Sequence, residues 1–222
     1  MRYLLTTLAA LSALSALSAL SVQSAFAEDY LSIGFEATKA NYSKYEFVNP
    51  RITGIVQDNN KPSVNNLNIA YGRTYTDFRG ELELSLGQKA TFTSYHSPFN
   101  TFAQIKEVTS HRLMANAFKD FDAGNNIVPF LGAGLGLAYN TAEGFQGATR
   151  DPFAKKSTTS IAYGVSAGAK YNLDKSSGMT FSYQYINAGK ANTGISQFAP
   201  NDEQYKGSYV TSGFKFAYTK SL

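Results

Sequence analysis

Two serine–histidine neighbours are the nearest approach in this sequence to a nucleophile with its base. They are His96-Ser97 and Ser110-His111. Such a pair needs a hydrogen bond between hydroxyl and imidazole, but adjacent residues of an extended strand point to opposite faces. Zero cysteines exclude a thiolate metal site, and two histidines leave little room for a histidine-built one. We therefore predict no catalytic residue, no metal and no cofactor, and a protein that is not an enzyme.

Alternating glycines at Gly132, Gly134 and Gly136 superficially resemble a phosphate-binding loop. The Lys-Ser/Thr pair and the following helix of such a loop are missing, and the period of two fits a strand with one small face. The balance of 20 Lys+Arg against 16 Asp+Glu is weakly basic and spread along the chain, which does not indicate nucleic-acid binding. Charged residues make up 16%, below the roughly 25% of soluble domains.

The first 27 residues differ in composition from the rest. Arg2 precedes an Ala/Leu/Ser stretch from Leu4 to Val22, and Ala25-Phe26-Ala27 has the small-x-small pattern that signal peptidase cuts. The sequence predicts a signal peptide over 1–27, cleaved after Ala27, and one domain over 28–222. After residue 27 no apolar run of 18 residues occurs, so a helical membrane span is not expected.

Beyond residue 27, apolar residues alternate with small or polar ones in eight stretches. The clearest is Phe78 to Gln88, where Phe78, Leu82, Leu84 and Leu86 share one face. In the fourth stretch, Ile105 to Phe118, both faces hold apolar residues and a bulge would switch them, so its inward face stays open. The connections alternate between long and short. The long ones cover Tyr42 to Asn65, Ala90 to Gln104, Thr141 to Ser157, and Ala188 to Lys206.

This layout predicts an all-β protein: an eight-stranded antiparallel up-and-down transmembrane β-barrel with four long extracellular loops and short periplasmic turns. The alternative is a secreted β-sandwich or a soluble lipocalin-type barrel. Strands of roughly 10 to 13 residues, glycines on the polar face and aromatic residues at the ends of the apolar face favour the membrane barrel. We therefore expect the outer membrane of a bacterium, with both termini on the periplasmic side.

Ionisable and amide side chains share the inward face of the predicted strands. Closing the barrel places the first strand beside the last, with Glu36 and Lys215 at similar depth. We predict an ion pair between them, and contact of Glu81 or Glu83 with Lys170 or Arg79. An eight-stranded interior is filled by side chains, which favours a plugged lumen over a gated pore for small solutes. The predicted lumenal cluster comprises Glu36, Arg79, Glu81, Glu83, Lys89, Lys170, Gln184 and Lys215.

Two segments are similar to one protein family. Pro129 to Tyr139 resembles a hallmark strand of the opacity-type surface antigens, and Ala115 to Phe121 resembles the run that precedes its turn. These antigens are eight-stranded outer-membrane barrels of Gram-negative bacteria. The resemblance implies surface exposure and, in some members, adhesion to host receptors or matrix through the long loops. The C-terminal alternation of Phe214, Phe216, Tyr218 and Leu222 also resembles the signal read by the outer-membrane assembly machinery.

With lipid outside and the lumen filled, the loops are the variable surface on which function is expected. Aromatic residues among polar ones suit protein contacts. The partners expected are outer-membrane lipid and lipopolysaccharide, a host-cell or matrix protein, and the assembly machinery. We expect a surface antigen or adhesin-like protein, or a role in envelope integrity; the alternative is a small-solute pore or a lipid A-modifying enzyme. The candidate loop contacts are Tyr45, Phe47, Tyr95, Phe99, Phe145, Phe153, Lys155, Lys156, Phe198 and Tyr205.

Overall fold

The computed structural model describes residues 28–48, 55–56, 61–96, 103–124, 126–146, 151–196 and 203–222. The predicted signal peptide lies outside these residues, as do the predicted contacts Phe99 and Phe198. Among the described residues there is no helix with the length and apolarity that a membrane crossing requires.

Ten strands account for almost all of the described chain. They are β1 (Glu28–Val48), β2 (Ile55–Val56), β3 (Ser63–Tyr75), β4 (Phe78–Gly87), β5 (Lys89–His96), β6 (Ala103–Asp120), β7 (Ile127–Gln146), β8 (Asp151–Asn172), β9 (Ser177–Lys190) and β10 (Gln204–Ser221). Every pairing is antiparallel, β10 pairs with β1, and β6 pairs with both β4 and β7. The sheet therefore closes into a barrel. Because β4 and β5 follow one another along β6, and β2 only adds to the edge of β5, the wall has eight strands, as predicted.

A β-bulge separates β4 from β5. Ser85 lies opposite Arg112, whereas Lys89 lies opposite Thr109, so four steps on one strand face three on the other. The extra residue reverses which face points inward. Lys89 consequently points outward, with its side chain 50% exposed, and the prediction that it lines the lumen is wrong. Strand β6 itself keeps its even-numbered residues inward from Gln104 to Phe118, which settles the face that the sequence left open.

The barrel has an apolar outer wall and a polar interior. Leu135, Ile161 and Val165 are 59–67% exposed, while Glu36 and Asn68 are buried, at 0% and 1% exposure. Small inward residues leave room in the narrow lumen for larger side chains from neighbouring strands. At Gly134, for example, a Cβ would collide with the side chain of Asn116. The predicted division of the composition into apolar outward and small or polar inward residues is thus confirmed. We call this outward apolar surface the belt.

The two ends of the barrel differ in height. At the end that carries Glu28 and Leu222, which we call the turn end, β3 and β4 are joined by Thr76 and Asp77 alone. At the opposite end, the loop end, the wall continues well above the belt. The predicted loop over Thr141 to Ser157 is largely strand, since β7 runs to Gln146 and β8 starts at Asp151. The sequence-based boundaries were too short here because polar outward residues above the belt end the alternation while the hydrogen-bonded ladder continues.

Candidate functional site

The centre of the lumen is built around Glu36. Asn66 and Asn68 donate side-chain hydrogen bonds to its two carboxylate oxygens, at 2.6 and 2.7 Å. The guanidinium of Arg112, on the far strand β6, forms an ion pair with the same carboxylate at 2.7 Å and also donates to the Ser85 hydroxyl at 2.9 Å. Arg112 and Glu36 are fully enclosed. The buried Glu36 carboxylate thus has hydrogen-bond donors for both of its oxygens. Its ion pair with Arg112 connects β1 to β6 across the lumen, and we call this pair a strut.

Lys215 belongs to the same layer but pairs with Glu83 rather than with Glu36. The register places Glu36 directly opposite Lys215, as the sequence suggested, yet each takes a partner elsewhere. The predicted Glu36–Lys215 ion pair is therefore wrong. The physical reason is Arg112, whose inward position on β6 was left open by the sequence and whose long side chain reaches Glu36 across the lumen.

A second charged layer lies nearer the turn end, around Arg79. Its guanidinium pairs with Asp120 at 2.7 Å and with Glu81 at 3.5 Å, and its carbon lies 4.7 Å from the centre of the Phe118 ring. The Tyr30 hydroxyl donates to Glu81 at 2.7 Å. The predicted Glu81–Arg79 contact is present. Lys170 faces inward at the same end, but no ion pair with Glu81 or Glu83 is found for it among the described residues.

Between the two charged layers the lumen contains a cavity of about 40 Å³. Arg79, Glu81, Glu83, Gln184 and Lys215 line it. Such a volume holds about three water molecules, which these polar groups would bind. The geometry is that of an interior filled by side chains around a small polar cavity.

Above the charges, the interior of the loop end is aromatic and aliphatic. The rings of Tyr42, Phe92 and Tyr209 pack together, with Phe92 centred 5.7 Å from Tyr42 and 6.3 Å from Tyr209. The buried ammonium of Lys106 lies 5.5 Å from the Tyr42 ring and 5.2 Å from the Tyr205 ring, in cation–π distance of both. This apolar layer fills the described part of the lumen at the loop end.

The predicted loop contacts divide into three groups. Phe153 and Tyr205 are buried at 2% and 0% exposure, and their rings contact each other with centres 4.4 Å apart, so their prediction as surface contacts is wrong. Both residues lie on strands that extend above the belt, and their rings point into the barrel, where they are shielded from water. Phe145 is half-buried on β7, and Lys155 and Lys156 are exposed on β8. The side chains of Tyr45, Phe47 and Tyr95 lie outside the described part of the structure.

The serine–histidine pairs do not form a catalytic arrangement in the described residues. Ser110 is buried in the lumen whereas His111 faces the outer wall, as expected for neighbours on one strand. His96 ends β5, and the side chain of Ser97 is not described. Within the described ranges no group of three or more His, Cys, Asp or Glu could hold a metal ion.

The closed barrel, its apolar outer wall and its charged lumen together describe a membrane barrel. The family described as "Outer membrane protein beta-barrel domain" matches residues 6–217. The chain belongs to this family. The outer-membrane β-barrel therefore resides in the bacterial outer membrane, its turn end is periplasmic and its loop end extracellular. The predicted fold and the resemblance to opacity-type barrels are confirmed.

One protein sequence and two solved structures are similar to this outer-membrane β-barrel. Outer membrane protein PagN of Salmonella typhimurium strain LT2 is 30% identical over 132 residues, which are 57% of this chain and 53% of that protein. The matched region thus spans about half the length of that curated relative. Neisserial surface protein A superposes with a TM-score of 0.53 at 19% identity, covering 88% of this chain and 99% of that one. OprG of Pseudomonas aeruginosa gives 0.54 at 15% identity, covering 88% and 97%. The last two likenesses show the fold.

Sequence reasoning missed six participants in the lumenal network of the barrel: Tyr30, Asn66, Asn68, Ser85, Arg112 and Asp120. The parity of β1 and β3 already pointed the first three inward, but they are uncharged and were passed over in favour of ionisable groups. Arg112 was not predicted because the sequence did not determine which face of β6 points inward. The even-numbered positions of β6 include the polar residues Lys106, Ser110 and Arg112, and assigning this face to the lumen would have identified Arg112.

Proposed function

We propose that this barrel is a non-catalytic surface protein that acts through its extracellular end, as an adhesin-like protein or surface antigen. The main support for the proposal is a contrast between two parts of the barrel. Side chains fill the lumen, whereas the strands at the extracellular end extend above the belt. In the described part of the lumen, the central cavity of about 40 Å³ has room for only a few waters. The raised wall, by contrast, supports the extracellular connections on paired strands.

Rigid support of variable loops is a common arrangement for recognition. Strands β1 and β10 stay paired as far as Val48 and Gln204, and β7 and β8 as far as Gln146 and Asp151. Segments mounted in this way lose less conformational entropy on binding than free loops do. The likeness to PagN and to Neisserial surface protein A supports a role at the cell surface. We further propose that export uses residues 1–27 as a cleaved signal peptide.

The test is adhesion of a non-adherent laboratory bacterium that displays the full-length protein. Variants replace one extracellular connection at a time with a two-residue turn, and the matched control shortens the periplasmic 173–176 turn. We expect at least one extracellular variant to lower attachment to host cells or to immobilised matrix proteins at least fivefold while it still folds, as judged by heat-modifiable gel migration. Attachment that equals the empty strain for the intact protein would overturn the proposal.

A further inference from the structure

The outer wall above the belt carries an apolar patch that spans neighbouring strands. Ile105 on β6 lies opposite Phe145 on β7, which in turn lies opposite Pro152 on β8. Next to β8, the backbone N–H of Ala154 donates to the carbonyl of Ile195, whose side chain is 50% exposed. The other four side chains are half-buried. We call these five residues the upper patch.

A polar band separates the upper patch from the belt. On β7, the outward residues Thr141 and Glu143 lie between Tyr139, which is 51% exposed, and Phe145. Six residues of strand from Tyr139 to Phe145 span about 20 Å, or about 15 Å along the membrane normal at the usual tilt. Because outward aromatic residues such as Tyr139 mark the edge of the hydrocarbon, the upper patch lies beyond the lipid chains. An apolar surface rimmed by polar residues in this way is typical of contact with another protein.

The upper patch faces sideways, which limits the partners that can reach it. Its residues lie on the outward face of a wall that stands along the membrane normal, so a partner must lie beside the barrel rather than above it. A second copy in the same membrane has the same orientation and carries its own patch at the same height. Two-fold symmetry, the commonest in protein assemblies, then brings the two patches face to face.

The charges around the upper patch suit such a pair of copies. Just below the patch, Glu107 and Glu143 share a single cation, Lys89, at 2.6 and 3.3 Å. Lys155 is exposed beside the patch and forms no ion pair within the described part of the chain. Each copy thus offers one carboxylate charge that is not balanced and one cation that is not paired.

A bulge in β8 holds Lys155 on the outward face. Glu143 of β7 lies opposite two residues of β8, Ala154 and Lys155, because the register there advances by two residues on β7 and by three on β8. The residues on either side of them, Phe153 and Lys156, lie opposite inward positions of β7. Since neighbouring residues of a strand point to opposite faces, Ala154 and Lys155 face outward.

We propose that the upper patch is the contact surface between two copies of this chain that lie side by side in the outer membrane. A two-fold axis along the membrane normal, through the middle of the patch, packs the apolar residues of the two copies against one another. It also brings Lys155 of each copy towards Glu107 and Glu143 of the other, so that opposite charges meet at the edge of the contact. This contact goes beyond the proposed function, because it does not depend on what the extracellular connections bind.

Disulfide cross-linking of the full-length protein in the outer membrane of intact cells tests the proposal, since the chain has no cysteine of its own. Pro152→Cys places a thiol in the middle of the patch, and the matched control Asn41→Cys places one on β1, four strands from β7. A disulfide needs Cα atoms within about 7 Å of each other, so we expect at least about fivefold more linked dimer from Pro152→Cys. Ala154→Cys replaces it if heat-modifiable gel migration shows that Pro152→Cys does not fold.

Charge reversal tests how the two copies meet. In the Pro152→Cys background, Lys155→Glu should lower the dimer fraction at least about fivefold, because it sets a carboxylate against Glu107 and Glu143 of the other copy. Lys155→Arg should leave the fraction unchanged. The same reversal on β1, Lys39→Glu, should change it less than about twofold.

Three results would overturn the proposal. Equal amounts of dimer from Pro152→Cys and Asn41→Cys would indicate chance collisions in a crowded membrane. Equal losses from Lys155→Glu and Lys39→Glu would indicate a general effect of net charge. No dimer from either patch variant in its folded form would indicate that the patch serves a different protein.

Discussion

The ion pair of Arg112 with Glu36 in the lumen and that of Lys89 with Glu107 on the outer wall have nearly the same length, 2.7 and 2.6 Å. Their surroundings are opposite. The lumenal side chains are 1% and 0% exposed, whereas Lys89 is 50% and Glu107 is 19% exposed. Because solvent screens the exposed pair while protein encloses the buried pair, similar geometry implies different contributions to stability. The lumenal ion pair connects strands on opposite sides of the barrel interior, whereas the wall pair joins neighbouring strands at the surface.

The largest expected effect comes from breaking the lumenal pair. Arg112→Met leaves the Glu36 carboxylate buried without its cation, which should lower the free energy of unfolding by about 3–5 kcal/mol. Denaturant titration in lipid vesicles, followed by the gel shift of the folded barrel, measures it. The double variant Arg112→Met with Glu36→Gln removes the stranded charge and should recover much of the loss. A change below about 1 kcal/mol for Arg112→Met alone would contradict the strut interpretation.

A double-mutant cycle sharpens the question of which cation serves Glu36. The coupling free energy between Glu36 and Arg112 should be about 2 kcal/mol, because the two form a direct ion pair. The coupling between Glu36 and Lys215 should be about 0.5 kcal/mol, since Lys215 pairs with Glu83. The same unfolding measurement on Glu36→Gln, Arg112→Met, Lys215→Met and the two doubles supplies both values. A reversed order would restore the pairing inferred from sequence alone.

On the outer wall the corresponding change should be small. Lys89→Gln removes a cation that is half exposed, so the expected loss in the free energy of unfolding is about 0.5 kcal/mol or less and should shrink further at high salt. The titration used for Arg112→Met gives a direct comparison. If Lys89→Gln and Arg112→Met destabilise equally, the difference drawn between lumen and wall does not hold.

The smallest expected effect is a pH dependence at the periplasmic turn. Hydrogen bonds from the Ser177 hydroxyl, then from Ser176, lower the pKa of Asp174 to about 2. Its ordinary value is about 3.9, so this carboxylate stabilises the folded state above about pH 4 and ceases to do so as the pH falls towards 2. Asp174→Asn should therefore lose slightly less stability between pH 5 and pH 2.5 than the unaltered protein. An identical pH dependence for both proteins would argue against the turn geometry.

Much of the barrel follows from the sequence because one face of each strand must meet lipid. Residues such as Leu31, Ile33 and Phe35 alternate strictly, and their exposure at 47–54% matches the prediction. That constraint fades above the belt, where neither face is lipid-exposed. The strand ends there were consequently placed too early, and Phe153 and Tyr205 were assigned to a surface they do not occupy.

The lumenal site was predictable in composition but not in pairing. Glu36, Glu83 and Lys215 were expected in the interior, and all three line it. Partner choice depends on which strands face each other across the barrel and on a single extra residue beside Gln88. A period of two carries no information across such a bulge, which is why Lys89 was placed inside. Arg112 was missed for a different reason, since both faces of β6 hold apolar residues and its inward face was left open.

The central claim is that two charged layers and an aromatic layer fill the lumen, so that the protein acts from its extracellular surface. Ion flux through single molecules in planar bilayers tests this most directly, with incorporation verified by co-flotation of the protein with lipid vesicles. We predict that the intact barrel shows no stable conductance above the bare membrane, because Glu36, Arg112 and the packed rings of Tyr42 and Phe92 obstruct the lumen. A stable open conductance from the folded, unaltered protein would contradict the claim.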